Sequence, residues 1–185
     1  MFKKLAAAFQ SQPAQPAQAP KPKQTPQEIY LGLRRNILTL DGAQIGFVAK
    51  PGLTEAWGVV TDLGSENGWM TLVSLAEGTT SMYTSTGGGI LGAGEDKTGT
   101  PAGASAGLVM VAGKYFQQMQ LTKEFPLPAA PNVRFYVLTS GGVYTTEFKQ
   151  LTPADTGHPF FELYAYAQNV VTELRLFSEK QNQKR

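Results

Sequence analysis

The chain contains no cysteine. That removes disulfides, thiolate metal sites, a cysteine nucleophile and a lipoprotein anchor. It also fits a reducing compartment, so a cytoplasmic location is expected. Histidine is almost as scarce. His158 is the only one, so a histidine-based metal centre is not expected. Long apolar runs are missing too. No stretch approaches the ~18 consecutive apolar residues of a membrane span. The start, MFKKLAAAF, is charged like a signal peptide. Its apolar run from Leu5 to Phe9 is shorter than the ~7–15 residues of a signal core, so the segment reads as retained.

Charge is sparse and unevenly placed. Residues 1–25 hold Lys3, Lys4, Lys21 and Lys23 and no acid, and Lys184 and Arg185 close the chain. The whole chain carries +2, so with +4 and +2 at its ends residues 26–180 carry a net −4. A nucleic-acid-binding domain should show a basic face, so none is expected. Basic ends suit contact with acidic surfaces.

What is present describes one domain behind a tail. Residues 1–25 form the tail. Its Pro/Ala/Gln stretch QSQPAQPAQAPKPKQT holds nothing large to bury, so disorder is expected. In MFKKLAAAF, helical spacing aligns Phe2, Leu5 and Phe9, with Lys3 and Lys4 off that stripe. Met1, Phe2, Leu5 and Phe9 are therefore candidate interaction residues. The alternatives are a leader without a role, peripheral membrane contact and docking into a protein partner.

The domain spans residues 26–180, and 181–185 form a basic C-terminal tail. The 155-residue domain is long enough to bury roughly 70% of its unfolded-chain surface. Thr25, Pro26 and Glu28 make a capping box with proline at the first helical position. Ile29, Leu33 and Ile37 then repeat at helical spacing. AWGVVTDL, WMTLVSLA and TTSMYTST read as three strands joined by turns. The first puts Trp57, Val59 and Thr61 on one face and Val60 and Asp62 on the other. TPAGASAGLVMVAGKYFQQMQL reads as a helix with the stripe Ala104, Leu108, Ala112, Tyr115 and Met119. VRFYVLTS and GVYTTEF flank Gly141–Gly142 as a hairpin. In the last helix Phe160, Leu163, Ala167, Val170, Leu174 and Phe177 form the stripe, with Pro159 at its first position. The order α-βββ-α-ββ-α predicts an α+β domain, an antiparallel sheet of about five strands with helices packed on it.

The glycine run YTSTGGGILGAG invites a nucleotide. Gly87, Gly89 and Gly92 satisfy G-x-G-x-x-G. The strand-to-helix context is missing, because AGEDKTGT separates the run from the next helix. The phosphate-loop step also fails, since Asp96 precedes Lys97–Thr98. The sequence favours turn geometry and close packing, with Gly103 and Gly107 letting the middle helix approach another backbone. The alternatives are a small-ligand, anion or nucleotide site at Gly87, Gly88, Gly89, Gly92 and Gly94.

Other chemistry is thin. His158 reads as a capping or core residue. No G-x-S-x-G elbow accompanies it. The carboxylates are scattered apart from Glu95–Asp96. Arg134, Phe135 and Tyr136 lack the glycine–aromatic pattern of an RNA-stacking strand and read as core. No catalytic residue, metal or cofactor is expected.

From about Trp57 to Arg175 the chain resembles uncharacterised bacterial hypothetical proteins. The resemblance rests on STGGGILGAGE, FPLPAAPNVRFYVLTSGGVYTTE and HPFFELYAYAQNVVTELR, and it implies no activity. The element order resembles the type III secretion chaperone fold and, more loosely, roadblock-type domains. That resemblance implies a dimerising protein-binding module. The expectation is a non-enzymatic, dimeric, chaperone- or adaptor-like interaction module whose partner is a protein or a second copy. The alternative is a ligand-binding or enzymatic domain built on Gly87–Gly94.

Overall fold

The computed structural model describes residues 24–52, 55–94 and 100–183. Three helices and one seven-stranded sheet give the α+β class. The helices are α1 (Pro26–Leu38), α2 (Thr100–Tyr115) and α3 (Phe161–Asn182). The strands are β1 (Ala56–Ser65), β2 (Gly68–Leu75), β3 (Thr80–Thr84), β4 (Gly89–Ala93), β5 (Gln120–Thr122), β6 (Asn132–Thr139) and β7 (Gly142–Lys149). Their spatial order is β4-β3-β2-β1-β6-β7-β5, and every pairing is antiparallel.

Two strands exceed the five expected. β4 arises because the glycine run folds back on β3, with Tyr83 opposite Gly89. β5 arises because α2 ends at Tyr115, six residues before the expected end. A 3-10 turn over Phe116–Gln118 follows, and Gln120–Thr122 then pair with β7. At the other end of the chain α3 continues to Asn182, two residues into the stretch read as tail.

α2 and α3 cover one face of the sheet. Val59, Leu72, Val133, Phe135 and Val137 meet Leu108, Val111, Ala112, Leu163, Ala167, Val170 and Leu174 there. The α3 stripe is as the spacing predicts, with Leu163 to Leu174 buried and Phe160 and Phe177 partly so. Pro159 lies outside the helix, because Phe160 is the N-cap residue.

α1 and the connection 123–131 cover the other face. The Thr25–Glu28 capping box is formed. The buried stripe is Tyr30, Arg34 and Leu38, one position on from the Ile29–Leu33–Ile37 stripe. Ile29 is half exposed, and Leu33 and Ile37 sit at the margin. Tyr30 wins the inner position because its hydroxyl bonds to Thr71 (2.9 Å) and its ring meets Tyr83 edge-on. Arg34 reaches inward because a buried carboxylate, Asp62, waits for it.

A register shift in β1 between Ala56 and Gly58 moves Trp57 to this same face, beside Val60 and Asp62. Strict alternation places it with Val59, and the bulge overrides that. Trp57 then covers Gly42, where a Cβ would stand 3.0 Å from its indole nitrogen.

Candidate functional site

The polar centre of the domain lies under α1. Arg34 Nε and Nη2 both donate to Asp62 Oδ2, at 2.8 and 2.7 Å. Nη1 donates to the Phe125 carbonyl in the connection, and Nη2 donates also to the Pro126 carbonyl. Thr71 donates its hydroxyl to Asp62 Oδ1 at 2.6 Å. The Tyr136 hydroxyl also donates to the Pro126 carbonyl, and the Arg34 guanidinium lies 5.4 Å from the Tyr136 ring centre. Burial pushes the Asp62 carboxyl above the usual carboxylate range, while Arg34 and Thr71 pull against it. Burial likewise raises Tyr30 and Tyr136 to about 12. The cluster is enclosed, since Asp62 has no exposed surface and Arg34 is 6% exposed. Its donors and acceptors are spent on tying β1, α1 and the connection together. No feature of the sequence marked Asp62 and Arg34 as partners 28 residues apart.

The glycines turn inward. Gly87, Gly88, Gly89, Gly92 and Gly94 all have positive φ. A Cβ on Gly89 would stand 2.5 Å from the Met82 carbonyl oxygen. A Cβ on Gly94 would stand 2.6 Å from the Gly78 carbonyl oxygen and 3.1 Å from Ala102 N. Gly87 donates its N–H to the Thr84 carbonyl, and Gly92 donates to Ser81 Oγ. Gly88 has an open surrounding at its Cβ position, while Gly87 rests against Pro26. The close approach of α2 to backbone therefore occurs at Ala102 against Gly78 and Gly94. It does not occur at Gly103 or Gly107. Gly103 points into open space, and Gly107 faces the Tyr166 ring of α3 rather than the sheet. Glu95 and Asp96 lie outside the described residues, as do Met1, Phe2, Leu5 and Phe9 of the tail.

His158 sits in a turn before α3. Its Nδ1 accepts the Phe160 N–H at 3.2 Å, and its ring lies 4.6 Å from that of Phe148. Arg134 pairs with Glu147 across β6 and β7. Phe135 is fully buried, stacked on Phe148. Among the described residues no three histidine or carboxylate side chains gather to hold a metal. No described helix is long and apolar enough to cross a membrane.

The outer side of α2 is different. Ser105 anchors the helix, accepting the Leu75 N–H and bonding the Leu75 or Thr79 carbonyl. Leu108, Val109, Ala112 and Phe116 then face the sheet. Gly107, Lys114 and Tyr115 face α3, where the Tyr115 hydroxyl donates to Glu162 at 2.7 Å. That leaves Gly103, Ala106, Met110 and Gly113 on the outside. Met110 is 64% exposed. Beside it runs a groove of about 420 Å³ floored by Ala56, Ala76, Val109 and Phe116, with Glu55 at its rim. The sequence carries a signal for this face: α2 has one charged residue, Lys114, in 16 positions.

No family model, curated protein or solved structure matches this chain. Its site must be read from its own geometry.

Proposed function

We propose that the protein is a non-enzymatic interaction module that pairs with a second copy through α2, acting in the cytoplasm as an adaptor- or chaperone-like binder. One observation carries this. Lys114 is the one charge on α2, which is otherwise apolar or small all round, yet the domain covers only the sides toward the sheet and α3. A helix that is apolar all round is normally buried all round. Gly103, Ala106 and Gly113 let another backbone come close, and Met110 is a pliable side chain suited to filling a partner's surface. The acidic body keeps the remaining surface soluble and unattractive to nucleic acid.

The test is light scattering at tens of micromolar, on the natural chain and on Met110→Glu. The natural chain should run as a dimer. Met110→Glu places a charge in the centre of the buried patch and should weaken the dimer by about 2 kcal/mol or more, some 30-fold in Kd. Because Met110 is exposed in the single chain, the variant should keep its fold. A strict monomer at these concentrations would overturn the proposal.

A further inference from the structure

Two clefts share Phe47 and Trp57 as a common wall, the first of them just past the end of α1. One, of about 330 Å³, is lined by Leu40, Leu138 and Val143. The other, of about 280 Å³, is lined by Ile45 and Val48. Val48 is 84% exposed, the barest large apolar side chain among the described residues. Each cleft carries one acid, Asp41 in the first and Glu77 in the second, both at the surface. Neither cleft has a lysine or arginine among its described lining residues. An occupant should therefore be short, carry two or three large apolar groups, and be basic.

The chain owns such a segment. MFKKLAAAF holds Phe2, Leu5 and Phe9 with Lys3 and Lys4 between them and no acid. We infer that residues 1–9 of this chain dock on their own body, with the Phe2, Leu5 and Phe9 side chains seated about the Phe47–Trp57 wall and Lys3 and Lys4 facing Asp41 and Glu77. The reach is sufficient. The described chain starts at the head of α1, where Pro26 rests on Gly87; the first cleft opens just past its tail at Leu40, and the second shares the Phe47–Trp57 wall with it. Thirteen helical residues separate the two ends by about 20 Å. Residues 10–24 can extend about 45 Å as a polyproline-type spacer. A tether of that length holds the segment at millimolar effective concentration, so weak docking suffices. Charge complementarity sets its placement more than its strength.

The cysteine-free chain makes the experiment clean. A spin label on Ala7→Cys in the full-length, isotope-labelled chain should strongly broaden the Val48 amide and the Trp57 indole N–H. Paired variants sharpen the result. Val48→Lys, at an exposed position, removes the apolar contact and repels Lys3 and Lys4, so it should restore the residue-48 amide and the Trp57 signal, and Phe2→Ser with Phe9→Ser should restore both as well. Higher salt should weaken the broadening. Unbroadened Val48 and Trp57 signals would overturn the assignment. So would broadening seen only when spin-labelled and isotope-labelled copies are mixed, because that places the segment on a second copy. Broadening confined to Met110 and its neighbours would overturn it as well, moving the segment to the α2 groove.

Discussion

The two faces of the sheet are held in different ways. Under α2 and α3 the contacts are apolar, both aliphatic and aromatic, and the core residues repeat at helical and strand spacing. Under α1 the centre is one guanidinium, one carboxylate, the hydroxyls of Tyr30, Thr71 and Tyr136 and two carbonyls, with the Tyr83 ring alongside. The first face depends on area removed from water, which any side chain of similar size and shape supplies. The second depends on directed bonds, which only particular atoms supply. A buried pair of this kind fixes how segments meet more surely than it adds stability.

The sharpest way to break the comparison is Arg34→Met. It leaves the Asp62 carboxylate buried without its cation and should cost about 3–5 kcal/mol in urea unfolding. Asp62→Leu added to it should recover much of that loss. Leu108→Ala on the opposite face should cost about 2–5 kcal/mol and add to the Arg34→Met effect, since the sites share no partner. Strong coupling between them would mean that the faces are not independent.

That division also explains what was legible in the sequence. The α3 stripe, the β6–β7 hairpin and the α1 capping box follow from spacing and turn chemistry, and all three form. The α1 face did not follow, because no periodicity rule predicts a buried arginine whose partners are at 62, 125 and 126. Trp57 changed faces through a bulge, which strand alternation does not show. β4 was hidden by its glycines, and β5 by Met119 and Leu121, which continue the α2 pattern past its true end. The candidate site was half visible. The lack of charge in α2 could be read directly, but which side stays open depends on where α3 lies. The glycine run was read as packing, and its contacts are of that kind at Gly89 and Gly94. The close approach expected at Gly103 and Gly107 falls instead at Ala102.

Alkaline pH sharpens the contrast, since the titrating tyrosines with the largest shifts lie on the α1 face. Burial raises Tyr30 and Tyr136 from 10 to about 12 in the folded chain. Their contribution is fully present below pH 10 and is lost as pH rises through about 12, because the unfolded chain gives up these protons first. The loss should approach roughly 3 kcal/mol per group. Chemical denaturation across that window, with tyrosinate absorbance followed in parallel, measures it. Tyr30→Phe should flatten the slope.

A smaller effect separates the glycines. Gly94→Ala meets backbone at the Gly78 carbonyl as well as an unfavourable φ of 80°, and should cost about 1–3 kcal/mol or more. Gly88→Ala has φ 86° but open space, so it should cost only the backbone strain of about 1–2 kcal/mol. Equal losses in thermal unfolding would show that crowding at Gly94 is relieved. The smallest expected change is a gain. Gly32 lies inside α1 with nothing near its Cβ position, so Gly32→Ala should stabilise by up to about 1 kcal/mol.

Arg34 also sets an order of events at the ribosome. α1 is among the first described segments to emerge, but two of the carbonyls that Arg34 binds lie 91 and 92 residues later. At roughly 5–20 residues per second, synthesis leaves that guanidinium waiting on the order of 5–20 seconds. During this interval water must solvate it, so α1 remains a free amphipathic helix or no helix. The N-terminal lid of the domain is therefore closed by a piece of chain made about two-thirds of the way along it.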